Sequence, residues 1–165
     1  MKVLVAYYSW TNGNTKKIAE EMGERLGADI ERLEPSTPYS GSYQEVVDQG
    51  QREVEAGYCP PLKPLAHDPK NYDAIVAGTP TWWYTMAPVM HSFLKKVDWN
   101  GKVFVPFMTN AGWPGTVIKD MEECASGARV ILAKEIRFDS KGGDHLVTKK
   151  SEVENWMKKV QKELQ

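Results

Sequence analysis

The chain predicts a three-layer α/β domain, an open parallel sheet of five strands with helices on both faces. Short apolar runs alternate with amphipathic helical patterns from one end to the other, the order of a doubly wound fold. The runs are continuous rather than alternating, as strands covered on both faces require. Five such β-α units fall short of the roughly eight that a closed barrel takes, so the sheet is open. With 165 residues and no internal repeat, the whole span 1–165 reads as one domain with room for a proper core.

Val3 to Tyr8 is the first strand, apolar throughout and bounded by turn residues. Residues 15–26 place Ile18, Ala19, Met22 and Leu26 on one helical face, and Gly27 marks the stop. Ala28 to Leu33 is a less apolar strand with a weaker pattern, followed by a Pro- and Ser-rich loop over 34–41. Tyr43, Val47, Gln51 and Val54 give a helical stripe over 42–56. Pro60, Pro61, Pro64 and Pro69 make residues 57–71 a connection. Ala74 to Gly78 is the third strand. Pro88, suited to a first helical turn, opens a helix carrying Val89, Phe93, Leu94 and Val97 on one face. Val103 to Met108 is the fourth strand, Val117, Ile118, Met121 and Ala125 mark the next helix, and Val130 to Phe138 is the fifth strand. Val153, Trp156, Met157, Val160 and Leu164 close the chain as a helix over 151–164.

Composition excludes several classes. A net charge of −1, from 21 basic and 22 acidic residues, gives no pull toward nucleic acid or an anionic membrane. The apolar start is too short for a secretory signal, and no stretch reaches the length of a membrane span. Cys59 and Cys124 show neither CxxC nor zinc spacing, so a reduced, cytoplasmic setting is expected. His67, His91 and His145 are scattered, with no catalytic triad or metal-ligand spacing among them. Tyr7-Tyr8-Ser9 stands where a phosphoacceptor domain needs clustered carboxylates, and no GxxxxGK[ST] loop is present.

In an open parallel sheet, ligands bind beyond the carboxyl ends of the strands, at the switch point in strand order. Three loops fall there. The first, Ser9-Trp10-Thr11-Asn12-Gly13-Asn14-Thr15, runs into a helix. Its hydroxyls, amides, free glycine backbone and helix N-terminus suit an anion such as phosphate. The second is Thr79-Pro80-Thr81-Trp82-Trp83-Tyr84-Thr85-Met86, and the third Thr109-Asn110-Ala111-Gly112-Trp113-Pro114-Gly115. None of the three carries a charge, although charged residues make up 26% of the chain. Three large aromatics in a row cannot all enter one core, so at least one is exposed unless a ligand covers it. Together the loops suit a flat, neutral aromatic ring tethered through a phosphate.

YYSWTNGNTKKIAEEM resembles the phosphate loop of flavodoxins, and GTPTWWYTMAPVMHSFLKKVDWNGKVFVPFMTNAGWPG resembles a bacterial flavodoxin-like family with a Pro-x-Trp-Trp loop. The resemblance implies strand order 2-1-3-4-5 with FMN at the switch between strands one and three, a placement long established for that fold rather than read from these residues. It implies that Ser9, Thr11, Asn12, Gly13, Asn14 and Thr15, with Trp10 among them, hold the phosphate. It also implies that Pro80 to Tyr84 and Thr109 to Gly112, with Gly115 beyond, flank the isoalloxazine, Trp82 or Trp83 stacking on it. The family's loop reads Ser-x-Thr-Gly-x-Thr; here Asn12 adds one residue, leaving Thr11 or Asn12 for the usual threonine's contact.

The implied function is electron transfer between soluble redox partners, with an FMN-dependent reductase of quinone-like acceptors as the second reading. Flavodoxins stabilise the one-electron-reduced neutral flavin by turning a peptide toward it at a residue that tolerates positive φ. Residues 80–86 hold neither Gly nor Asn, so that form is expected to be weakly stabilised. With no carboxylate in the three loops, the low-potential couple is expected to be less negative than in acidic flavodoxins. The helix from Tyr43 and the Pro-rich stretch from Cys59 to Pro69 are candidates for a rim over the site.

Overall fold

The structure is a computed structural model, and it describes residues 1–141 and 143–165. Its elements follow in chain order. β1 (Val3–Tyr7), α1 (Asn14–Leu26), β2 (Asp29–Arg32) and α2 (Tyr43–Ala56) form the first part. β3 (Ala74–Trp82), β4 (Thr85–Met86), α3 (Pro88–Lys96) and β5 (Val103–Asn110) come next. α4 (Val117–Cys124), β6 (Arg129–Val130), β7 (Lys134–Arg137) and α5 (Lys150–Leu164) complete the chain. The sheet runs β2-β1-β3-β5-β6, with β7 also on β5, and every one of these pairings is parallel. Counting the broken edge as one strand, this is the 2-1-3-4-5 order expected. The sequence reading lacked β4, which folds back antiparallel on the end of β3 through Thr81↔Met86 and Trp82↔Thr85, and a 3-10 turn over Pro69–Asn71.

Each central strand is buried on both faces, and its residues alternate between two cores. Leu4, Ala6, Ile75, Ala77, Phe104 and Met108 face a core with Met90, Phe93 and Leu94 of α3 and Met121 of α4. Val3, Val5, Val76, Val105 and Phe107 face the other, with Ile18 and Met22 of α1 and Trp156, Met157 and Val160 of α5. Gly78 is set by packing: a Cβ there would collide with the Phe107 ring.

The edge strand differs from the single run Val130 to Phe138 read from the sequence. Phe104 pairs with Val130, but Phe107 pairs with Lys134, so one extra residue is inserted on the edge. That is a β-bulge. Leu132 takes φ 50° within it, and its carbonyl accepts the Trp156 indole N–H at 2.6 Å. The broken ladder thus exchanges a sheet hydrogen bond for one to α5. Among the described residues no helix is long and apolar enough to cross a membrane.

Candidate functional site

At the carboxyl ends of β1, β3 and β5 the chain leaves a cleft of about 310 Å³. Its first wall is the turn between β1 and α1. Ser9, Trp10, Thr11, Asn12, Asn14 and Thr15 line the cleft. Asn12 (φ 47°) and Gly13 (φ 70°) are consecutive left-handed residues, and they reverse the chain just before the helix. The N-cap of α1 is Gly13, which has no side chain to offer the helix, and the first turn holds no acidic residue. The positive end of the helix therefore faces the cleft with no carboxylate in its own first turn. Beneath it, the buried Thr15 and Thr109 hydroxyls lie 2.8 Å apart and join α1 to β5.

A second wall is aromatic. Pro80, Thr81, Trp82 and Trp83 line it from the β3–β4 hairpin. Trp82 meets Tyr8, Trp10 and Tyr39 edge-on, with centroids 5.8, 5.9 and 5.0 Å away. Trp10 in turn stacks on Tyr43 at 5.6 Å. The Trp83 indole N–H donates to the Val47 carbonyl at 2.9 Å, tying the hairpin to α2, while the ring stays 39% exposed. Burial pushes the Tyr8 and Tyr39 phenols well above the usual range; donation from Tyr39 to the buried Glu53 carboxylate at 2.7 Å adds to the second. Both hydroxyls stay protonated, so the cluster is uncharged at its phenols.

The turn itself departs from the sequence reading. Trp83 (φ 50°) and Tyr84 (φ 67°) are both left-handed, although neither is Gly nor Asn. The two-residue hairpin imposes this, because a turn with positive φ at both positions matches the twist of its strands. Each bulky residue there costs roughly 1–2 kcal/mol.

Thr109, Asn110 and Ala111 supply the cleft's third segment. The Asn110 side-chain oxygen accepts the Gly112 N–H at 2.7 Å, which curls the loop away after Ala111. Of the residues named from sequence, Gly13, Tyr84, Gly112 and Gly115 do not line the cleft; they shape the turns that do. Gly115 packs so closely on the Tyr84 carbonyl that a Cβ would collide with its oxygen.

Two further walls complete the cleft, one a rim candidate from the sequence and one not read there. Tyr43, Val46, Val47 and Gly50 of α2 line the cleft, so this helix is the rim it was a candidate for, whereas no residue of the stretch from Cys59 to Pro69 reaches it. Gly50 lets the hairpin in, since a Cβ there would stand 3.0 Å from the Trp82 ring. Phe138, Asp139 and Gly143 close the other side, and the Asn14 side-chain amide donates to the Gly143 carbonyl at 3.1 Å. Asp139 thus brings a carboxylate to a cleft expected to hold none, because it lies beyond the fifth strand rather than in any of the three neutral loops. Tyr43 and Val47 of the helical stripe, with the small residue Gly50, are what the α2 sequence offers as signals for this rim.

A family model described as flavodoxin matches residues 2–160. No curated protein sequence matches the chain. Among solved structures, a flavoprotein of Lactobacillus acidophilus in complex with FMN is 25% identical, with a TM-score of 0.70 over 94% of this chain and 97% of that one. A protein of Bacteroides uniformis provisionally named a flavoprotein superposes with a TM-score of 0.77 at 22% identity, covering 95% of this chain and 97% of its own. An archaeal flavodoxin shares the fold at 20% identity and a TM-score of 0.57, over 96% and 92% of the two chains. With the family model spanning nearly its entire length and the cleft lying at the switch point of a 2-1-3 sheet, this chain belongs to the flavodoxin family.

Proposed function

We propose that the protein binds FMN in this cleft and passes electrons between soluble redox partners in the cytoplasm. The observation that carries the reading is the union, in one cleft, of a helix N-terminus with a glycine N-cap and no acidic first turn, and an aromatic wall. The residues fit the cofactor. The hydroxyls and amides of Ser9, Thr11, Asn12, Asn14 and Thr15 surround the positive end of α1, where a phosphate dianion needs no basic side chain. Trp82 and Trp83, with Thr109 to Ala111 beside them, offer the cleft surfaces suited to a flat ring. The flavin supplies the redox chemistry when bound; the protein orients it and excludes water from part of it.

Apoprotein titrated with FMN and with riboflavin tests this reading. The phosphate is expected to tighten binding by about a hundredfold, close to 2.7 kcal/mol. No uptake of either, or equal affinity for both, overturns it. A second reading, reduction of quinone-like acceptors at the expense of NAD(P)H, is favoured by the cleft mouth, where Tyr43 and Trp83 stand exposed and uncharged. Sustained NAD(P)H oxidation with a soluble quinone decides for the enzyme, and its absence for the carrier.

A further inference from the structure

The β3–β4 hairpin keeps two bulky residues in a costly backbone conformation, and such a state persists only where its surroundings over-determine it. One side chain gathers the contacts that do so. Oδ2 of Asp120, half-buried near the start of α4, accepts the Thr85 hydroxyl at 2.5 Å and the Thr116 hydroxyl at 2.7 Å. Thr85 belongs to the hairpin and Thr116 to the loop after β5, so one carboxylate oxygen joins both segments that flank the cleft. Beside it, the Thr116 N–H donates to the Tyr84 carbonyl at 2.8 Å, and Gly115 leaves room for that carbonyl.

We infer that Asp120 is a positioning residue: by holding the Thr85 and Thr116 hydroxyls on one oxygen, it fixes the hairpin on α4 and so sets the aromatic wall of the cleft. The inference rests on the reading of the cleft as an FMN site, because Asp120 does not line the cleft and acts on a ligand only through Trp82 and Trp83. A role confined to α4 is the plain alternative. Asp120 lies in that helix's first turn, where a carboxylate favours the dipole without any partner in the hairpin. Loss of the acceptor separates the two roles. A dipole effect depends on the charge, and its loss weakens α4. A latch depends on the hydrogen bonds, and its loss loosens the turn at Tyr84 and changes the slot.

The experiment compares Asp120→Ala and Asp120→Asn with the full-length wild type, without and with FMN. Hydrogen exchange of the Thr116 amide reads the latch in the FMN-free protein. FMN titration and the midpoint potential of the bound flavin read its consequence. Asp120→Ala is expected to speed exchange at Thr116 and to raise the FMN dissociation constant, each about tenfold, with a shifted midpoint potential. Asp120→Asn, which keeps an accepting oxygen without the charge, is expected to stay near wild type in all three. Unchanged exchange, affinity and potential in Asp120→Ala, with only a lower melting temperature, overturn the inference. So does Asp120→Asn behaving like Asp120→Ala. Should Asp120→Ala not fold, Thr85→Val removes one arm alone and is expected to move the same three readouts by a lesser amount; no movement overturns the inference. Failure of the wild type to take up FMN overturns the functional reading instead, while the exchange arm still reports on the latch.

Discussion

Tyr84 illustrates how a single residue can oppose the turn it occupies. Its φ of 67° penalises any Cβ, and its ring is 59% exposed, so little burial offsets the strain. Replacement by glycine removes roughly 1–2 kcal/mol of left-handed penalty and costs roughly 0.5–1 kcal/mol in unfolded-chain entropy. Tyr84→Gly is therefore expected to stabilise the FMN-free protein by about 0.5 kcal/mol, a rise in Tm of about 1–2 °C by calorimetry. A lower Tm would show that the ring has a packing role in the native state. His91 supplies a pH-dependent contribution. Burial lowers its pKa first and Lys95 further, with Asp120 acting in opposition, and Cys59 Sγ lies 3.4 Å from Nδ1. The unfolded chain protonates this histidine at about pH 6.5, and the folded chain only at lower pH. Its stabilising effect is complete above pH 6.5 and is lost as pH falls through the folded pKa. Urea midpoints at pH 7.5 and 5.5 are expected to fall further for wild type than for His91→Gln; equal falls would count against the assignment.

At the scale of elements, the hairpin changes the ground for one redox expectation. Weak stabilisation of the one-electron-reduced flavin followed, from the sequence, from a loop that would avoid positive φ. The loop instead adopts positive φ twice, under the constraint of its strand pairs. What now opposes a turned peptide is the Tyr84 carbonyl, already accepting the Thr116 N–H at 2.8 Å. A rearrangement there breaks that bond before it makes another, at a net cost of about 0.5–1.5 kcal/mol. A spectroelectrochemical titration is still expected to show little blue one-electron-reduced flavin. Abundant blue species in wild type would mean that another peptide turns.

For the whole molecule, a net charge of −1 leaves no strong field to steer a charged partner. Reduction of a soluble acceptor protein is therefore expected to change less than about threefold between 50 and 500 mM salt. A steep salt dependence, measured by stopped flow, would reveal a local charged dock that the sum of charges hides. Asp139 bears on the potential, since it is a carboxylate on the cleft wall that the three neutral loops did not disclose. It offsets part of the expected rise in the low-potential couple.

The fold was legible because its signals are local. Continuous apolar runs such as Val3–Tyr7, helical stripes such as Val153–Leu164, and the Ser9–Thr15 turn into a helix are each written within about a dozen residues. Hydrophobic burial acts on that periodicity directly, so the central strands, the helices and the turn that leads from β1 into α1 follow from the chain alone. Only the tertiary structure decided the rest. The bulge at Leu132 forms because α5 brings the Trp156 indole to a carbonyl 24 residues away, and no edge-strand pattern encodes that partner. The choice of α2 over the Cys59–Pro69 stretch as the rim, the place of Asp139 and the left-handed Trp83-Tyr84 turn likewise depend on groups distant in sequence meeting at one end of the sheet. The sequence by itself determined which residues could hold a phosphate and a flat ring; the packing of α2, α4 and the edge strand decided the shape of the slot between them, because a cleft's walls are set by long-range contacts that local patterning does not carry.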